Sequence, residues 1–265
     1  MEEDSVQLPS LPAVVVKARE LLSSENLNAR ALSNLLEQDA AIVAALMRLA
    51  NSAAFGGLGR VDNLKTAIQR IGHCQLAPII TGLGLKGAFR HPQPEKARIL
   101  EVLWNHSVTT AFAARAIASR VRIDPERAFL AGLLHDCGKV LVLSVLDALE
   151  AKGEAVGVTD ETRRELMSAL HCRLGHRVLV SWNLPDDVAS VALRHHEKAG
   201  PGDGLLLVVQ AANLITRRLG FHPEPDPNLR VVTDPSIEEL GMTDMQVATL
   251  MIDMEDHLAE MQRLF

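Results

Sequence analysis

Apolar residues recur along this chain at helical spacing, and no segment alternates in the two-residue period of a half-buried strand. That pattern restricts the chain to an all-α fold in which helices bury their apolar stripes against one another. Asn28 is placed to cap a helix over 29–38 and Asp39 to cap the next, where Ile42, Leu46, Leu49 and Ala50 share a face. Asn63 and Gly72 bracket a third, with Leu64, Ala67, Ile68 and Ile71 as its stripe and Gly72 as its stop. The run His91-Pro92-Gln93-Pro94 interrupts the periodicity, because two prolines bar helix continuation. A seam at 91–97 is therefore expected between helical subdomains 1–90 and 98–265. Beyond it, 99–121 reads as one long helix, and Asp124-Pro125 supplies an N-cap with proline at the first helical position. Further helices are expected over 160–182, 185–196, 205–219 and 243–264, with 221–234 as a surface excursion.

The chain of 265 residues is 48% apolar, enough to bury one large core or two smaller ones. Its formal charge of −6, with six Phe, two Trp and no Tyr, offers neither a broad basic surface nor many stacking platforms, so no nucleic-acid partner is expected. The pairs Arg163-Arg164 and Arg217-Arg218 read as solvated helix faces. Charges or glycines interrupt the apolar stretches short of the roughly 18–20 residues of a membrane span, and acids open the chain where a signal peptide would be basic. A cytoplasmic protein with no membrane partner is the expectation. The three cysteines, Cys74, Cys137 and Cys172, show no Cys-x-x-Cys spacing and are read as small buried hydrophobes.

Chemistry is concentrated in the histidines. The run Leu133-Leu134-His135-Asp136-Cys137-Gly138-Lys139 closes an apolar helix with two unlike metal ligands. Adjacent helical residues point about 100° apart, so both reach one ion only at the helix end, where Cys137-Gly138 is expected to turn the chain. His106 lies within the long amphipathic helix that must pack nearby. His171 and Gly175 share a face, so the glycine can admit a neighbouring helix while His171 points inward; His176 is turned away. His195-His196 ends a helix as His135-Asp136 does. For His171 a core histidine bonded to a carbonyl, and for His195-His196 protonated rings meeting the helix dipole, are the competing readings. Lys139 reads as a phosphate contact or a helix-end lysine, Asn51-Ser52 as ligand-binding or backbone-capping residues, and Trp104 and Trp182 as partner anchors or core.

The motifs Leu8-Pro9-Ser10-Leu11-Pro12, Leu35-Leu36-Glu37-Gln38-Asp39, Arg48-Leu49-Ala50-Asn51-Ser52-Ala53-Ala54-Phe55-Gly56 and Ala67-Ile68-Gln69-Arg70-Ile71-Gly72 closely resemble the HDOD domain family. The likeness continues through Trp104-Asn105-His106-Ser107, the His-Asp-Cys-Gly-Lys run, Trp182-Asn183-Leu184-Pro185 and His195-His196, covering about 6–220. It implies an all-helical bacterial signalling module with an HD-like second half, a relative of the HD and HD-GYP phosphohydrolases, which acts through contacts with other signalling proteins. Against the HD-GYP enzymes, which hydrolyse cyclic di-GMP, His106, His135, Asp136, His171, His195 and His196 match metal-ligand positions in order. No Gly-Tyr-Pro follows Glu197. Where those enzymes place a late metal-binding Asp, Ala211-Ala212-Asn213-Leu214 aligns the neutral Asn213.

One carboxylate among neutral imidazoles leaves a net +1 around a single divalent ion, which suits Zn or Fe better than Mg; a second ion would lack a bridging charge. Two functions follow as expectations. The first is a regulatory output module acting through protein contacts, whose HD-like pocket is noncatalytic or senses a ligand such as a nucleotide. The second is a metal-dependent phosphohydrolase of a nucleotide or cyclic dinucleotide. A helical DNA-associated regulator is disfavoured by the acidic balance.

Overall fold

The computed structural model describes residues 10–24, 28–52, 55–56, 59–154, 157–200 and 202–264, with side chains as far as 256. Leu8, Pro9, Ala53 and Ala54 of the motifs above lie outside the described residues. In chain order the helices are α1 (Ala13–Ser23), α2 (Ala29–Leu36), α3 (Ala40–Ala50), α4 (Leu64–Ile71), α5 (His73–Leu85), a 3-10 turn (Lys86–Phe89), α6 (Pro94–Val121), α7 (Pro125–Leu134), α8 (Cys137–Ala151), α9 (Asp160–Ser181), α10 (Asp186–Arg194), α11 (Gly204–Arg218), α12 (Pro235–Glu239) and α13 (Asp244–Leu264). No strand occurs among the described residues, and the fold is all-α.

The starts follow local chemistry. Asn28 Oδ1 accepts from Ala31 N at 3.0 Å, Asp39 Oδ1 from Ala41 N at 2.9 Å, and Asn63 Oδ1 from Thr66 N at 2.9 Å. Asp124 Oδ1 accepts from Glu126 N at 2.9 Å and Arg127 N at 3.1 Å, satisfying amides that the first turn leaves open. α6 starts at Pro94, inside the stretch read as a seam, because proline fits the first helical position, where no amide is required. Helices α1, α5 and α8 add to those read from periodicity. In α5 the buried residues include Leu76, Pro78, Ile79, Ile80, Thr81, Gly82 and Leu85, most of its circumference, so it carries no one-sided stripe.

A single apolar cluster runs through both halves, joining Leu32, Leu46, Ile71 and Ile80 to Ile117, Phe129, Leu134, Val178 and Ile215. Fully buried side chains such as Leu46 and Phe129 each contribute roughly 1.5–3 kcal/mol. Arg19 of α1 fastens the halves further, donating to the carbonyls of Trp182 at 3.1 Å and Asn183 at 3.0 Å between α9 and α10. Trp104 is buried in this core. Asn51 clamps the chain after α3, its Nδ2 donating to Val61 O at 2.9 Å and its Oδ1 accepting from Val61 N at 2.8 Å. Ser52 Oγ donates to Leu49 O at 2.7 Å, so this pair serves the backbone.

Two expectations need correction. Within Pro125–Ala151 an 18-residue segment has mean hydropathy 1.7, long and apolar enough to cross a membrane, contrary to the reading that every such run is too short; 83% of that segment is buried inside the protein. The cysteines also differ from one another: Cys137 is buried, Cys172 is half-buried and Cys74 is exposed.

Candidate metal centre

Four elements carry the site. α6 holds His106 at mid-length, the break between α7 and α8 holds His135 and Asp136, α9 holds His171, and the end of α10 presents His195 and His196. The break is at His135-Asp136 itself, since α8 restarts at Cys137. Gly138 is therefore not the turn residue it was expected to be. It lies inside α8, where a Cβ would overlap the carbonyl oxygen of His171 and stand 2.7 Å from Gly175 N. Gly175 faces it from α9, 3.6 Å from the Gly138 Cα were it given a Cβ. The two glycines let α8 and α9 approach backbone to backbone, which brings His171 to Asp136.

The imidazoles are aimed by carbonyls. His106 Nδ1 donates to Phe221 O at 2.8 Å, His135 Nδ1 to Gly132 O at 2.7 Å, His171 Nδ1 to Met167 O at 2.8 Å and His195 Nδ1 to Ala192 O at 3.1 Å. A neutral ring that donates from Nδ1 carries a bare lone pair on Nε2. Those lone pairs converge: His106 and His135 Nε2 lie 3.2 Å apart and His171 and His195 3.3 Å, with His196 Nε2 3.1 Å from His171 Nε2. Burial pushes His106 down to about 3 and His196 to about 4, and lowers His135 and His171 as well, so these rings stay neutral. This overturns the reading of His196 as a protonated ring at a helix end.

Asp136 stands between two donor groups. Its Oδ2 lies 3.6 Å from His106 Nε2 and 3.5 Å from His135 Nε2, while its Oδ1 lies 3.4 Å from His171 Nε2 and 3.5 Å from His195 Nε2. Oδ1 is buried and makes no hydrogen bond. Burial alone would raise this carboxyl, but the Lys139 ammonium beside it helps to hold it well below the ordinary carboxylate range. Lys139 Nζ is 2.5 Å from Asp136 Oδ2 in the first turn of α8, the wrong end for a dipole contact, so its partner is the carboxylate.

Bare nitrogen lone pairs at van der Waals distance around a buried, unsatisfied carboxylate oxygen are unfavourable unless a cation lies among them. The donor set therefore fits a divalent metal. The carboxylate also faces both groups at once, which removes the objection that nothing could bridge a second ion.

His171, His195, His196 and Lys139 open onto a cavity of about 900 Å³. Arg98, Arg163, Arg164, Lys198 and Arg217 lie on its walls with Asp160, Glu224, Asp234 and Glu239, and Ile99, Val102, Leu103 and Met167 form an apolar side. Arg163 is buried and salt-bridged to Asp160, and the Nε atoms of Arg163 and Arg217 are buried without hydrogen bonds. Arg163 and Arg217 thus line a cavity, where the sequence suggested solvated faces, whereas Arg164 on the same cavity is exposed as expected. Asn213 lies on the same wall, on α11, its Oδ1 buried and without a hydrogen bond.

Sequence reasoning missed two neighbours. His222 packs edge-on against His106, ring centroids 4.8 Å apart, and the Phe221 carbonyl anchors His106, so the start of 221–234 closes the site and is no mere surface excursion. Cys172 places Sγ 3.3 Å from His171 Nε2. His176 is absent from the donor groups found among the described residues.

The sequence model of the HDOD domain matches residues 8–198. An uncharacterized protein of Treponema pallidum (strain Nichols) is 24% identical over 196 residues, which is 71% of this chain and 37% of that protein. The chain thus spans little more than a third of the curated relative it matches. Among solved structures, an HDOD domain protein of unknown function from Geobacter sulfurreducens superposes with a TM-score of 0.72 at 22% identity, covering 98% of this chain and 94% of that one. A protein provisionally described as a metal-dependent phosphohydrolase from Shewanella amazonensis SB2B gives 0.70 at 23%, covering 92% of each chain. One provisionally described as a signal transduction protein from Marinobacter aquaeolei VT8 gives 0.71 at 20%, covering 99% of this chain and 60% of that one. At these identities the superpositions establish the fold, and the match over residues 8–198 establishes that the chain belongs to the HDOD domain family.

Proposed function

We propose that this chain is a signalling module whose second half holds a divalent metal and binds a phosphate-bearing ligand in the cavity beside it, with output through contacts to another signalling protein. The observation that carries this is the set of inward-facing Nε2 atoms around the unsatisfied Oδ1 of Asp136. His106, His135, Asp136, His171, His195 and His196 would hold the metal, and imidazole donors favour Zn or Fe over Mg. When bound, such an ion polarises a phosphoryl oxygen and acidifies a coordinated water. The chain's own part is to bind and orient. Arg217, with its buried Nε unsatisfied, and Arg163 offer planar donors suited to phosphate, and Lys139 adds a positive charge at the cavity. Ile99, Val102 and Leu103 give the cavity an apolar side, so a ligand with both phosphate and a ring fits better than free phosphate.

A second reading is hydrolysis of that ligand, favoured by the way the two oxygens of Asp136 face separate donor groups. Calorimetric titration of metal-loaded protein with cyclic di-GMP, a linear dinucleotide and p-nitrophenyl phosphate tests both. Binding of at least one of them, weakened tenfold or more in Arg217→Ala, is expected; no binding of any would sink the proposal. Turnover no faster than in Asp136→Ala fits a sensing role. Hydrolysis lost in both Asp136→Ala and His135→Ala, each still folded, would make the protein an enzyme.

A further inference from the structure

We infer that Cys172 is a metal ligand, making the donor group nearer the cavity a thiolate site with His171, His195 and His196. The inference rests on the metal reading above and adds a residue and a chemistry to it. Sγ of Cys172 and the ring nitrogens of these three histidines all lie within 4.8 Å of one another. Their spacing fits one small ion. Zn–N bonds of about 2.05 Å and a Zn–S bond of about 2.3 Å in a tetrahedron put two nitrogens about 3.3 Å apart and nitrogen and sulfur about 3.6 Å apart. The observed separations are 3.1 Å and 3.3 Å for the nitrogens and 3.3 Å for Cys172 Sγ to His171 Nε2.

Cys172 is half-buried and follows His171, which lines the cavity. On binding, the divalent ion replaces the thiol proton, which passes to solvent, and a metal–sulfur bond forms. Thiolate at this group and only imidazole and carboxylate at the other makes the two unlike. The Cys172 group selects a soft or borderline ion, Zn or Fe, whereas His106, His135 and Asp136 Oδ2 form a harder one.

Cobalt(II) in place of the native metal reports the ligand directly, because a thiolate ligand adds a near-ultraviolet charge-transfer band to the visible d–d bands that any tetrahedral Co(II) shows. Titrated into full-length apoprotein, Co(II) should produce both. Cys172→Ser should lose the charge-transfer band and keep the d–d bands, which also reports a folded site, while Cys74→Ser and Cys137→Ser keep both. Visible bands with no charge-transfer band in the unmodified protein, or a band that survives Cys172→Ser, would refute thiolate ligation and leave the histidine-aspartate metal reading standing. Absence of any Co(II) spectrum in the unmodified protein would remove both.

Discussion

Between Ala13 and Leu85 the buried polar side chains among the described residues are Ser52 and Thr81, and each hydroxyl donates to a carbonyl three or four residues back, at 2.7 Å to Leu49 and 2.7 Å to Ala77. From Pro94 onward the buried polar set includes His106, Thr110, His135, Asp136, Arg163, His171 and His195, drawn from helices far apart in sequence. A hydroxyl bonded to a local carbonyl costs little to bury. Four imidazoles and a carboxylate brought together without full hydrogen bonding are costly, and such a cluster persists where the surrounding fold over-determines it. One half is thus built for packing, and the other uses the stability of that packing to hold a strained polar nest.

Substitutions separate the two. Leu46→Ala empties part of the apolar core shared by both halves and should cost about 2–5 kcal/mol in denaturant unfolding, with metal bound per folded molecule unchanged. Metal loss in the folded variant would show that the nest depends on the first half directly. Gly138→Ala should cost somewhat less, about 1–3 kcal/mol. It should also remove metal binding, since α8 and α9 cannot close when a methyl group occupies the space of the His171 carbonyl. Normal metal content in a folded Gly138→Ala protein would mean that the close approach does not position His171.

Acid gives a smaller, graded effect in metal-free protein. Burial holds His106 down to about 3 against an ordinary 6.5, so between those values the unfolded chain binds a proton that the folded chain does not. Stability therefore rises with pH across that window and is lost on acidification, by up to about 1.4 kcal/mol per pH unit for each such ring. Thermal melts from pH 6.5 down to 4 should show a steep fall in Tm that His106→Gln makes shallower. Equal slopes would place the acid sensitivity outside the nest.

How much of this was readable from sequence depends on how local each cause is. The caps at Asn28, Asp39, Asn63 and Asp124 act within three residues, so residue type and the following stripe suffice. α5 escaped because its burial on nearly all sides erases the periodic signal. His106, His135, Asp136, His171, His195 and His196 were singled out by type and spacing, and the structure brings them together. Cys172 was not, because a residue next to His171 points about 100° away on an ideal helix, and only the orientation of the His171 ring closes the gap. His222 was hidden for a different reason: a loop distant in sequence folds over His106 through one carbonyl, and proline content alone says nothing of where a loop lands. Arg163 pairs with Asp160 one turn back, which spacing along the helix supplies, and with Glu150 of α8 at 3.8 Å, which it does not.

Elemental analysis of freshly purified protein, before and after supply of Zn or Fe(II), tests the central claim most directly. The account predicts stoichiometric Zn or Fe in the unmodified chain and a lower content in Asp136→Ala and His135→Ala proteins that keep their helical spectrum. Metal-free protein even after loading, or the same metal content in both folded variants, would contradict it.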